Sequence, residues 1–164
     1  AAKSGIKSFM LSFVEGSDDL NEFFESFGAC DQKGIGPPEV VAKIESLKGV
    51  GFARDLSPAL LDGVRLMAAR DDLFLAHVDN KEYFINSLRA IISKDPSAIL
   101  ASKIMSGLET GDGLTVGDLA DMVLMTNMGY RHYMLSDELT RKFDWASEVW
   151  RYTIAPLMRK AASG

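Results

Sequence analysis

Lys43 and Glu45 stand two positions apart in the apolar run VVAKIES, residues 40–46. Side chains alternate across a β-strand, so this amine and this carboxylate leave the same face. The rest of the run, Val40, Val41, Ala42 and Ile44, is what a covered strand requires. A carboxylate in that position can hold a hard divalent cation, and an amine beside it can neutralise charge that builds on a phosphoryl group or an enolate. Asp72, which follows the run GVRLMAA at residues 63–69, offers a second carboxylate. Mg2+ takes one or two protein carboxylates and completes its octahedron with substrate oxygens and water, which makes Glu45 and Asp72 the natural pair. Taken singly, Lys43 and Glu45 also read as a structural ion pair, and Asp72 as a helix-cap or turn residue.

The same polar punctuation recurs along the chain. The run SFMLSFV (8–14) carries Ser12 and leads to Glu15, AILASKI (98–104) carries Ser102 and Lys103, and HYMLSD (132–137) ends in Ser136, Asp137 and then Glu138. Each run is of strand length and largely apolar, as expected of strands covered on both faces. Amphipathic stretches lie between them. SDDLNEFFESF (17–27) places acidic residues in its first turn and Leu20, Phe23, Phe24 and Phe27 on one face. NKEYFINSLRAIISK (80–94) has the same period with Asn80 as N-cap, and TVGDLADMVLMTNMGY (115–130) starts on Thr115 and stops at Gly129. DWASEVWRYTIAPLMRK (144–160) reads as a terminal helix kinked near Pro156. GACDQKGIGPPE (28–39) reads as a loop. Alternating elements predict an α/β fold with parallel strands joined by right-handed crossovers, in one domain over residues 1–164. In such folds the functional groups gather at the C-terminal ends of the strands.

Composition narrows the partners. The net charge is −5, and the basic residues are scattered, so a nucleic-acid partner is not expected. No apolar run approaches the roughly 18 residues of a membrane span, so no membrane partner is expected either. Cys30 is the single cysteine, which excludes an internal disulfide and fits a reducing cytoplasm. His77 and His132 lack partners at metal-ligand spacing and read as ordinary surface or core histidines. The methionines and both tryptophans, Trp145 and Trp150, read as packing residues.

Four motifs in order, VVAKIESLKGV, LLDGVRLMAARDDLFL, AILASKIMSGL and HYMLSDEL, together with FMLSFVEGSDDL ahead of them, resemble the successive strand motifs of pyruvate kinase. The resemblance runs through nearly the whole chain. It implies a partial TIM (β/α)8 barrel of about five βα units, the fourth to eighth of the complete barrel. It further implies that Lys43 stabilises the transferring phosphoryl group, that Glu45 and Asp72 hold Mg2+ or Mn2+, and that the Asp71–Asp72 turn receives the substrate carboxylate. Ser102 stands where the family has a threonine near the proton-delivery step. Phosphoenolpyruvate or pyruvate and ADP or ATP are the implied substrates, with K+ bound in a complete barrel. The chain departs from the family pattern at Asp71 and Asp137, where glycine is usual, at Glu15, where a basic residue is usual, at Ser102 and Lys103, and in the longer segment from Gly63 to Arg70.

The chain begins Ala1-Ala2-Lys3 without the family's first strands, so it is expected to be a piece of a larger protein or a shrunken relative. Another chain or a second copy is then expected to complete the barrel edges. Two other functions fit the residues. One is a Mg2+-dependent 2-oxo-acid aldolase or citrate-lyase-type lyase, with the same carboxylate pair on neighbouring strands. The other is a non-catalytic association module.

Overall fold

The computed structural model describes residues 6–30 and 37–161. The chain is α/β, with parallel strands alternating with helices, and its succession of βα units is that of a partial (β/α)8 barrel. The residues divide into two compact units, Ala1–Ala98 and Ile99–Gly164.

The first unit holds β1 (Ser8–Leu11), α1 (Ser17–Cys30), β2 (Glu39–Ile44), α2 (Leu47–Asp55), a 3-10 turn at Pro58–Leu61, β3 (Val64–Ala69), α3 (Arg70–Ala76) and α4 (Tyr83–Lys94). β1 and β2 are parallel, with Ser8 beside Glu39, and β2 and β3 are parallel, with Ile44 beside Ala68. Val40, Ala42 and Ile44 bury one face of β2, and Leu66 to Ala69 are buried on both faces of β3. α1 closes over β1 through aromatic contacts, Phe9 lying 5.2 Å from Phe23 and 5.5 Å from Phe27 between ring centres. The buried Asp95 just past α4 accepts from the backbone N–H of Leu66 at 2.7 Å and from Ser97 N–H and Oγ at 2.8 and 2.6 Å. That carboxylate ties the end of α4 to β3, and it satisfies a strand N–H that would otherwise lose its hydrogen bond on burial.

The second unit holds β4 (Ile99–Ala101), α5 (Ser106–Thr110), α6 (Val116–Met128), β5 (His132–Tyr133), α7 (Asp137–Arg141), α8 (Phe143–Val149), a π turn at Trp150–Ile154 and α9 (Ala155–Ala161). β4 and β5 are parallel, Ile99 beside His132. α6 opens on a capping box: Thr115 accepts from Asp118 N–H at 3.0 Å and the Asp118 carboxylate accepts from Thr115 N–H at 2.9 Å. α9 packs on α6, and Trp150 meets Tyr133 edge-on at 5.6 Å.

Several boundaries differ from the sequence expectation, each for a local reason. The first strand ends at Leu11, not Val14, because Phe13 turns into the left-handed region at φ 54°. The fourth ends at Ala101 because Ser102 and Lys103 do the same at φ 72° and 55°. The fifth is only His132–Tyr133, since Ser136 accepts from Leu139 N–H at 3.2 Å and its acidic neighbours sit in the first turn of α7. The 80–94 helix starts at Tyr83, and Asn80 is a turn residue whose carbonyl accepts Tyr83 N–H at 3.1 Å. α1 continues to Cys30, so the loop expected from Gly28 starts later. The rest of that loop, residues 31–36, and the Cys30 thiol lie outside the described residues. α2 fills the helix position that alternation requires between β2 and β3, but its bounds do not follow from the sequence, because Gly49 and Gly51 lower the helix propensity of this short stretch. The terminal helix is interrupted by the π turn just before Pro156, whose ring crowds the carbonyl of the preceding turn.

Candidate functional site

The site is built at the C-terminal end of the β2–β3 pair. Strand alternation brings Lys43 and Glu45 to one face, and Lys43 Nζ donates to Glu45 Oε1 at 2.8 Å. The Glu45 side chain is 4% exposed and that of Lys43 is 20% exposed. Glu45 Oε2 accepts the backbone N–H of Phe13 at 2.5 Å, and the Lys43 carbonyl accepts Val14 N–H at 3.1 Å. The end of β2 is thus stitched to the segment that follows β1, which carries the left-handed Phe13, a residue 60% exposed. A left-handed non-glycine residue costs about 1–3 kcal/mol and persists where its surroundings over-determine it.

A second set of contacts joins the same two strand ends. Ser46 caps α2 by accepting from Gly49 N–H at 3.1 Å, and its hydroxyl donates to Glu15 Oε1 at 2.5 Å. Lys48 Nζ lies 3.3 Å from Glu15 Oε2. The Ser46 hydroxyl first, and Lys48 second, hold the Glu15 carboxyl below its ordinary range. Glu15 is therefore an anchor between the β1 and β2 ends. A Cβ on Gly49 would lie 2.8 Å from the Val14 carbonyl, so only glycine lets α2 approach this closely.

Asp71 and Asp72 occupy the first turn of α3, which begins directly after β3. Because Ile44 is in register with Ala68, Glu45 and the start of α3 stand at the same end of the two strands. Asp71 is exposed and Asp72 half-buried. Asp72 has no hydrogen-bond or ion-pair partner among the described residues. Both oxygens of the buried Glu45 carboxylate are engaged, Oε1 by Lys43 Nζ and Oε2 by the Phe13 N–H. Among the described residues no cluster of three or more His, Cys, Asp or Glu side chains is arranged to hold a metal.

In the second unit, Ser102, Lys103 and Met105 all adopt left-handed backbone directly after β4, Ser102 being half-buried and Lys103 exposed. α5 is held against the start of α6: the Gly107 N–H reaches Asp118 Oδ2 at 3.2 Å, and a Cβ on Gly107 would meet the Gly113 carbonyl and Thr115 Cγ2 at 2.5 Å. Burial pushes the Asp118 carboxyl up, but hydrogen bonds from Thr115, Gly107 and Ser106 outweigh it and leave the group below its ordinary value. At the fifth strand end, Ser136, Asp137 and Glu138 are helix-start residues, and Glu138 pairs with Lys142 at 3.0 Å.

Sequence reasoning missed the Ser46–Glu15 anchor and the use of Phe13 N–H by Glu45. Ser46 three residues before Gly49, at the end of an apolar run, is an N-cap signal that could have revealed the first. The backbone contact has no sequence signal. Neither a protein-family model nor a curated protein matches the chain.

Proposed function

We propose that the chain is a pyruvate kinase-like domain that binds phosphoenolpyruvate or pyruvate with Mg2+ at the β2–β3 rim and belongs to the phosphotransferase class. The observation that carries this reading is the Lys43–Glu45 pair at the end of β2, level with the partnerless Asp72 at the end of β3. The strand-end motifs add to it, as do the left-handed residues after β1 and β4, since strained backbone concentrates at functional sites.

Glu45 and Asp72 would hold the metal, which when bound supplies a positive charge against the developing enolate or phosphoryl oxygens. The role of Lys43 follows from its present partner. It neutralises Glu45 now; once a cation takes that carboxylate, the ammonium is released to face an anionic phosphoryl group. The Asp71–Asp72 turn would receive the substrate carboxylate, and the Asp71 side chain makes that turn more acidic than the family's glycine does. Ser102 would assist protonation of the enolate, with ADP or ATP as the nucleotide and the cytoplasm as the setting. β1 is an edge strand, and the exposed Met10 on it, with Ile6 and Phe13 flanking it, favours a further strand beside it from another chain or a second copy.

Calorimetry with Mg2+ and oxalate, an enolate mimic, tests the site. Binding heat in the parent chain that is lost in Glu45→Ala supports it, and no heat in the parent chain overturns it. Parallel assays of pyruvate enolisation, phosphoryl transfer and aldol cleavage then decide the reaction class; aldol cleavage alone would make the chain a lyase. Among the described residues no helix is long and apolar enough to cross a membrane.

A further inference from the structure

A second concavity lies in the first unit, among α2, the end of α3 and the start of α4. It has a volume of about 350 Å3, and none of Lys43, Glu45 or Asp72 lines it. A cleft of that size is at the lower end of the range that holds small ligands. One wall is apolar: Leu47 and Val50 fall on the same face of α2, joined by Ala76 and the half-exposed ring of Tyr83. The rest of the lining is polar: Arg54, His77, Asp79, Asn80 and Ser87.

His77 is the most informative of them. It is 8% exposed, and its Nε2 lies 2.8 Å from Oγ of the fully buried Ser87. Its other ring nitrogen has no partner among the described residues and is not wholly enclosed, and the residue lines the cleft. Arg54, in the last turn of α2, lines the same cleft with no ion-pair partner among the described residues. Burial, then the charges of Lys81 and Arg54, hold the imidazole below its ordinary pKa. Lys81 is occupied by the Phe74 carbonyl and ring, which leaves Arg54 as the cation available to a ligand. Asp79 also lines the cleft and is its one acidic residue, set against the Arg54 guanidinium.

We propose that this cleft is a binding site for a small amphipathic carboxylate, with Arg54 on the carboxylate, the Leu47–Val50 wall on the apolar body, and His77 and Asn80 on a polar substituent. Arg presents a planar fork that matches a carboxylate, and the apolar wall separates this class from inorganic anions.

The test is an NMR titration of the whole isotope-labelled chain with benzoate, benzylamine and inorganic phosphate as probes. Benzoate is expected to shift the signals of Val50, His77 and Tyr83 along one saturable curve, and Arg54→Gln is expected to weaken it at least about tenfold. Arg54 is exposed, so that variant keeps its fold, which its unchanged spectrum elsewhere will show. Absence of saturation with benzoate, equal binding in Arg54→Gln, or benzylamine or phosphate binding as tightly as benzoate would each overturn the proposal. Oxalate and Mg2+ do not enter this experiment, so its outcome is independent of the Lys43–Glu45 site.

Discussion

The carboxylate of Glu45 holds the backbone of Phe13: Oε2 accepts its N–H at 2.5 Å while Phe13 sits in the left-handed region at φ 54°. A charged side chain on β2 thus dictates the path of the chain after β1, and the other oxygen of the same carboxylate engages Lys43. The Lys43 ion pair and the conformation of that turn are therefore linked through one group.

That linkage separates two substitutions. Glu45→Ala removes two charge-assisted hydrogen bonds from a buried position and is expected to destabilise the chain by about 2–3 kcal/mol in urea unfolding. Phe13→Gly leaves the N–H in place and removes the left-handed penalty, so stability is expected to hold or rise by up to about 1 kcal/mol. A large loss in Phe13→Gly would mean that its ring is needed for packing despite its exposure.

Lys43→Met keeps the stem of the side chain and removes the ammonium. On the proposed function it retains Mg2+ and oxalate binding but loses phosphoryl-transfer or enolisation rate by about 100-fold or more, the scale of one lost transition-state donor. Equal rates in the two proteins, followed under saturating substrate, would confine Lys43 to a structural role.

Two glycines of one helix are expected to respond with opposite sign. In Gly49→Ala the new Cβ meets the Val14 carbonyl at 2.8 Å, a backbone atom that cannot move aside, and a loss of about 1–3 kcal/mol follows. In Gly51→Ala nothing lies within 4 Å, so the gain in helix propensity should stabilise the chain by about 0.5–1 kcal/mol. Thermal melts of the two variants beside the parent chain measure the difference.

The pH dependence of stability follows from His77. Its folded pKa lies below the ordinary value of 6.5, so the unfolded chain takes up a proton first as the solution is acidified. Stability is complete above about pH 6.5, falls as the pH drops toward the folded value, and levels off below it. His77→Gln is expected to flatten this part of a pH series of urea titrations. A slope unchanged by the substitution would assign the effect elsewhere.

The residue types and their alternation were enough to determine the α/β class, the five apolar runs, the pairing of Lys43 with Glu45 on one face, and the Thr115 and Gly129 ends of α6. All of these rest on local rules: period 2 in strands, period 3.6 in helices, and side-chain capping of exposed N–H groups. The tertiary structure decided what depends on contacts between distant segments. It ended the first and fourth strands early at left-handed residues, where the chain turns to meet its neighbours. It made Glu15 an anchor for Ser46 and Lys48, thirty-odd positions along the chain, where sequence alone showed only a departure from a pattern. It also turned His77 from an unremarkable histidine into the wall of a cleft, because Ser87 and Arg54 reach it only once α2 and α4 have packed. Spacing along a chain encodes the direction of a side chain; which group it meets there is settled by packing.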